Sequence, residues 1–130
     1  MRVILVLVLA ILCACGKGTD ELVVESRVPS PDGKVDALLV RHDIGGATVP
    51  TINAVFIVPS GKMPIEKTEI MRGDKFAGLT VKWSQERLLH ISYDSGRVFS
   101  FRSFWQNKEV NNFEYIVEIQ LSRSTHSLRP

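Results

Sequence analysis

A chain of 130 residues is long enough to bury one core and points to a single domain. Apolar residues form 45 % of it and charged residues 23 %, a globular balance that excludes a disordered or fibrous chain. A formal net charge of +2 excludes a strongly basic nucleic-acid binder, so no nucleic-acid partner is expected.

The chain opens on "MRVILVLVLAIL", in which one charge, Arg2, precedes an unbroken apolar run from Val3 to Leu12. A bilayer span needs about 20 residues, so this run is too short for a transmembrane helix and suits the apolar segment of a secretory signal. Both cysteines follow at once, in Leu12-Cys13-Ala14-Cys15. That tetrad resembles the bacterial lipoprotein signal: an aliphatic residue, two small residues, then the cysteine that is modified. The resemblance implies that residues 1–14 are cleaved, that the Cys15 sulfur carries diacylglycerol, and that its new amine is acylated. Cys13 then leaves with the signal and the Cys15 thiol is consumed, which excludes a disulfide, a metal site or a redox pair. Each lipid methylene contributes about 0.8 kcal/mol, so several chains together anchor stably. Gly16 rather than aspartate follows the lipidated cysteine, which by the same resemblance favours the outer membrane of an enteric-type envelope. Residues 15–20 form the anchor and a tether of under about 20 Å when fully extended. A membrane, reached through the N-terminal lipid, is thus the first expected partner, with the domain on the periplasmic face.

From Glu21 onward turn signals recur every eight to twelve residues: "VPSPDGK", "DIGGATVP", "VPSGKMP", "RGDKFAG", "YDSGR" and "WQNKEVNN". Between them the sequence predicts strands near 21–28, 34–42, 51–58, 65–72, 77–84, 87–93, 97–105 and 113–121. "LTVKWS" and "EYIVEIQL" alternate apolar and polar residues, as half-buried antiparallel strands do. "INAVFIV" is apolar on both faces and is expected at the centre of a sheet. "PIEKTEIM" reads as an edge strand or a short helix, since Pro64 has no N–H to donate. The expected fold is all-β: a single antiparallel β-sandwich or strongly curved meander of about eight short strands. The β domain is placed at 21–122, and 123–130 is expected to be a flexible polar tail.

"SPDGK", "VFIVPSG" and "VKWS" resemble β-propeller repeats, but a propeller needs at least four blades of about 40 residues and the chain is too short to close one. The order "SPDGKVDALLVRHDIGGAT", "VFIVPSG", "LTVKWS", "LLHISY" and "VFSFRSFW", spanning Pro29 to about Leu121, resembles a family of small uncharacterised bacterial proteins, many of them lipoproteins. Members of that family often carry Asp-Cys-Gly-Ala-Thr where this chain has Asp43-Ile44-Gly45-Gly46-Ala47-Thr48. The resemblance implies a lipid-anchored β domain and no particular activity. "SGRVF" also resembles the Ser-Gly-x-x-Tyr loop of periplasmic lysozyme inhibitors, with Phe99 in place of the tyrosine.

Chemistry-bearing motifs are few. "PSGKMP" lacks the second glycine and the helix of a P-loop, and a hairpin turn explains it. His42, His90 and His126 are far apart with no ligand partner at short spacing; His42 and Asp43 are neighbours on a strand and point to opposite faces. Acidic residues fall mostly in turns and on outer strand faces. No catalytic residue, metal ligand, cofactor or small-molecule substrate is read. The aromatic stretch "YDSGRVFSFRSFW" supplies the candidate partner-binding residues: Phe104 and Trp105 run into a polar loop, with Arg97 and Arg102 nearby, while Phe99 and Phe101 are expected to fill the core. The function expected is non-catalytic binding or envelope support through loops 43–50, 94–97 and 104–112, with a protein of the envelope as partner. The alternatives are an inhibitor or immunity-type protein that blocks a lytic enzyme or toxin, and a small hydrolase whose site is assembled from distant residues.

Overall fold

The computed structural model describes residues 21–43 and 51–124. Within them nine strands form two facing sheets, the sandwich that the regular turn spacing implies. Sheet A has the order β1 (Glu21–Pro29), β2 (Val35–Asp43), β3 (Ile52–Pro59), β4 (Met71–Ala77) and β7 (Ser95–Phe101). Sheet B has the order β5 (Thr80–Gln85), β6 (Leu88–Tyr93), β9 (Val117–Arg123) and β8 (Phe104–Trp105). The expected signal and tether, the remainder of the 43–50 loop, Cys13, Cys15 and His126 lie outside the described residues.

Within sheet A, β2 and β3 bury both faces, which explains why "VDALLV" and "INAVFIV" are apolar at successive positions. On the inner face Val35, Ala37, Val55, Ile57 and Met71 meet Trp83, Leu89, Ile91, Val117 and Ile119 of sheet B. On the outer face Leu38, Val40, Ala54, Phe56 and Val58 form a second cluster, flanked by Leu22 and Val24 of β1. As expected, β3 is the central strand of its sheet. In sheet B the alternation of "LTVKWS" and "EYIVEIQL" is realised: Trp83, Tyr115, Val117 and Ile119 go inward. The Trp83 indole N–H donates to the Val28 carbonyl at 2.9 Å, which fixes the end of β5 against the end of β1.

The structure corrects several sequence-based expectations. β6 and β9 pair in parallel, so the sandwich is mixed and is not a meander. The strand expected at 65–72 is displaced to Met71–Ala77. Residues 65–68 instead close a turn: the Thr68 hydroxyl donates to the Ile65 carbonyl at 2.6 Å and Lys67 takes a φ of 66°. The strand expected at 97–105 divides in two. The Arg102 N–H donates to Ile70 and the Ser103 carbonyl accepts from Ile119, so the chain leaves sheet A and joins sheet B there. The strand expected from 113 starts only at Val117, because Asn111, Asn112 and Phe113 all have positive φ. At its other end β9 continues through Arg123.

Candidate functional site

The register gives the sandwich two distinct ends. At one, Glu21 pairs with Asp43, and Leu22, His42, Ile52, Asp74 and Arg97 form one row across sheet A. At the other, Pro29 pairs with Asp36 and Val35 with Pro59. The Trp83–Val28 bond and the Asp94 N–H to Ala77 carbonyl bond orient sheet B: its Tyr93 edge lies with the start of β1, and its Leu88 edge lies with the end of β1. Glu118 pairs with both Leu88 and Phe104, which puts β8 at the far end. Nine residues of β1 at about 3.3 Å each separate the two ends by roughly 30 Å.

This geometry divides the residues expected to act together. Arg97 lies at the near end, where Nε and Nη2 grip the two oxygens of Asp74 at 2.8 and 2.6 Å. The hydrogen bond from Arg97 holds the Asp74 carboxyl below the usual carboxylate range, and the same bond raises Arg97. Its guanidinium also lies 5.7 Å from the centre of the Phe99 ring. Arg97 is thus committed to sheet A and stands apart from Arg102 and Phe104. Trp105 is corrected outright: it is only 9 % exposed and belongs to the inner core, paired with Val117. Phe99 and Phe101 are corrected in the opposite sense, being 53 % and 37 % exposed on the edge strand β7. Phe104 is 55 % exposed beside the buried Trp105.

What the structure adds is a concentration of apolar side chains around the far end. Among the described residues the large apolar groups left in water are Met63, Ile65, Phe99, Phe101, Phe104, Phe113 and Ile116. Met63, Ile65, Phe104, Phe113 and Ile116 lie on the loops and short strand at that end, whereas Phe101 closes β7 opposite Met71. Met63 and Ile65 face Trp105, Asn107 and Glu109 across a depression of about 180 Å³. Monomeric soluble domains seldom leave so many large apolar groups together in solvent unless they meet another surface. Phe113 is held out by its backbone, with φ of 68° after two asparagines at 49°. Asparagine tolerates that region, whereas phenylalanine there is strained at a cost of order 1–3 kcal/mol, a pattern that clusters at functional positions.

The base of this loop is fixed by a polar cluster that sequence spacing does not reveal. The Tyr115 hydroxyl donates to Asp32 at 2.7 Å across 83 positions, and the Ser30 hydroxyl donates to the other Asp32 oxygen at 2.6 Å. Burial raises Asp32, but the bonds from Ser30, Tyr115 and the Lys34 N–H outweigh it and the net pKa is lowered. A second clasp joins Arg27 to the buried Asp36 at 2.6 Å. Asp36 also accepts the Gly61 N–H at 2.9 Å, tying the β3–β4 connection to the outer face. Asp36 and Asp74 are therefore buried acids, whereas the sequence put acidic residues mainly at exposed positions. An aspartate within "VDALLV" is the signal that could have marked Asp36, since an acid inside a wholly apolar strand needs a partner.

His90 Nε2 and the Ser122 hydroxyl are 2.7 Å apart, tying β6 to β9. His42 differs: its Nε2 is buried and has no hydrogen-bond partner among the described residues. An unmet buried donor or acceptor costs about 1–3 kcal/mol. Among the described residues no group of three His, Cys, Asp or Glu side chains is arranged to hold a metal. Comparisons with protein-family models, with curated proteins and with solved structures found no match to this chain.

Proposed function

We propose that this chain is a lipid-anchored, extracytoplasmic β-sandwich that binds a protein of the bacterial envelope without catalysis, through the apolar surface at the far end of its strands. The observation that carries this reading is the solvent exposure of Met63, Ile65, Phe104, Phe113 and Ile116 on the segments at the far end, where Met63 and Ile65 line a depression with Trp105. The N-terminal pattern ending at Cys15 supports the anchor, and the short tether of residues 16–20 supports an orientation. A tether of under about 20 Å keeps the start of β1 at the bilayer and does not let the domain invert. The far end then faces away from the lipid, so its aromatic groups serve a protein partner and not the membrane interface.

Site-specific photocrosslinking in the native envelope tests this. A photoreactive residue at Phe104 or Ile116 is expected to capture one discrete protein, and the same probe at Lys82, on sheet B, is not. Adducts to lipid at position 104, or indistinguishable adducts at all three positions, overturn the reading. Replacement of Cys15 by alanine should abolish palmitate labelling and release the protein from the membrane fraction; retention of both would remove the anchor.

A further inference from the structure

The outer face of sheet A also carries a cavity, separate from the depression beside Trp105. It has a volume of about 290 Å³ and opens between the sheet and the connection from β3 to β4. Leu22, Ala54 and Phe56 give it an apolar floor, Arg72 and His42 rise from β4 and β2, and Glu66, Lys67 and Glu69 line it from the connection. Leu22 pairs with His42, and Ala54 with Arg72, so the floor and its two basic groups are fixed by sheet register.

The lining holds two carboxylates and two permanent cations around one small space. Among the described residues none of these four takes part in an ion pair, although oppositely charged partners line the same cavity. Charges of both signs that do not close on each other remain available to a third molecule. A simple anion meets Glu66 and Glu69 as well as the cations, and a simple cation meets Lys67 and Arg72 as well as the acids. Only a molecule bearing both charges satisfies the balance, and the apolar floor requires that it also carry an apolar group. His42 also lines the cavity, and its buried Nε2 has no hydrogen-bond partner among the described residues.

We propose that this cavity binds a small zwitterion with an apolar side chain, of the class of a free leucine-like or phenylalanine-like amino acid or a dipeptide of such residues. Arg72, held on β4, takes the carboxylate with Lys67 beside it. Glu66 and Glu69 take the ammonium group, and Phe56, Ala54 and Leu22 receive the side chain. The volume lies near the lower bound of ligand pockets, about 300 Å³, and so selects a ligand of this size over larger peptides.

Calorimetric titration of the full chain in detergent with leucine, phenylalanine and leucyl-leucine tests the proposal. N-acetyl-leucine, which lacks the cation, and leucinamide, which lacks the anion, serve as blocked controls. At least one zwitterion is expected to bind saturably, and each blocked analogue to bind roughly tenfold more weakly or worse, as the loss of a charge-assisted hydrogen bond implies. Which of the three binds best separates the free amino acid from the dipeptide. Arg72→Gln should weaken leucine binding and leave leucinamide unchanged, and Glu69→Gln should narrow the gap between leucine and N-acetyl-leucine. No saturable binding of any zwitterion, or equal binding of the blocked analogues, overturns the proposal without use of a variant. Unchanged leucine affinity in an Arg72→Gln chain with an unaltered melting temperature overturns it as well.

Discussion

Tyr115 stands where three segments meet, and its surroundings make its contribution dependent on pH. Its ring lies in the inner core, its hydroxyl donates to Asp32, and the Lys34 ammonium and Arg87 guanidinium sit 5.5 and 5.9 Å from its ring centre. Burial and the bond to Asp32 push its pKa from 10.0 up to about 12. The folded chain therefore holds the phenolic proton more tightly than the unfolded chain does. The stabilisation is complete below the unfolded value of 10.0 and is lost as pH rises toward about 12. Tyr115→Phe is expected to cost about 1–2 kcal/mol at neutral pH, because Asp32 loses a donor while the ring stays packed. The variant should also lose less stability across the alkaline range, so the two curves converge there. Urea denaturation of both proteins from neutral to strongly alkaline pH measures this, and parallel curves would contradict the assignment. A tyrosine and an aspartate 83 positions apart give no sequence signal of their pairing.

At the scale of elements, β4 and β7 show what sequence patterning reveals and what it hides. β5 and the run from Tyr115 through β9 were legible because each alternates apolar and polar residues over a half-buried surface. β4 was not: "MRGDKFA" contains a buried acid matched to Arg97 and a glycine whose role is to leave space, so its apolar period is broken. That space belongs to Phe76. A Cβ built on Gly73 would meet the Arg97 carbonyl oxygen and lie 2.6 Å from the Phe76 ring, and one built on Gly96 of β7 would also strike that ring. The two glycines form a slot in which Phe76 turns to meet Tyr93 of sheet B edge-on, with centroids 5.5 Å apart. Gly73→Ala is expected to destabilise the domain by about 1–3 kcal/mol, because a backbone carbonyl must move before the methyl fits. Gly33→Ala is a useful contrast. It meets no neighbour, so its cost is confined to a φ of +70° that a side chain rarely adopts. Thermal denaturation of both variants distinguishes a steric slot from a purely conformational requirement. Amide exchange should further place the Gly73 effect on the β4–β7 ladder.

For the whole molecule, the decisive point is that the aromatic stretch 99–105 serves three purposes within seven residues. Phe99 and Phe101 lie on the exposed edge of sheet A, the chain crosses between sheets at Arg102 and Ser103, and Phe104 and Trp105 then alternate outward and inward on sheet B. In one uninterrupted strand Phe99, Phe101 and Trp105 would share a face; the crossing breaks that parity, so Phe99 and Phe101 lie in solvent while Trp105 is buried. Hydrogen bonds from Arg102 to Ile70 and from Ile119 to Ser103 create the crossing, and they depend on residues that periodicity does not connect. Substitution separates the two roles. Trp105→Ala removes a side chain from the core cluster that includes Ile57, Val117 and Tyr115 and should cost about 3–5 kcal/mol. Phe104→Ser, paired with Ile116→Ser, removes two half-exposed side chains from outside the core and should cost about 1 kcal/mol, well below the loss at Trp105. If the far end is a contact surface, the second variant loses the crosslinked partner while its denaturation midpoint stays close to the parent's. If Phe104 and Ile116 instead support the fold, the midpoint falls with the partner, and the separation between a core tryptophan and an outward phenylalanine on adjacent residues is lost.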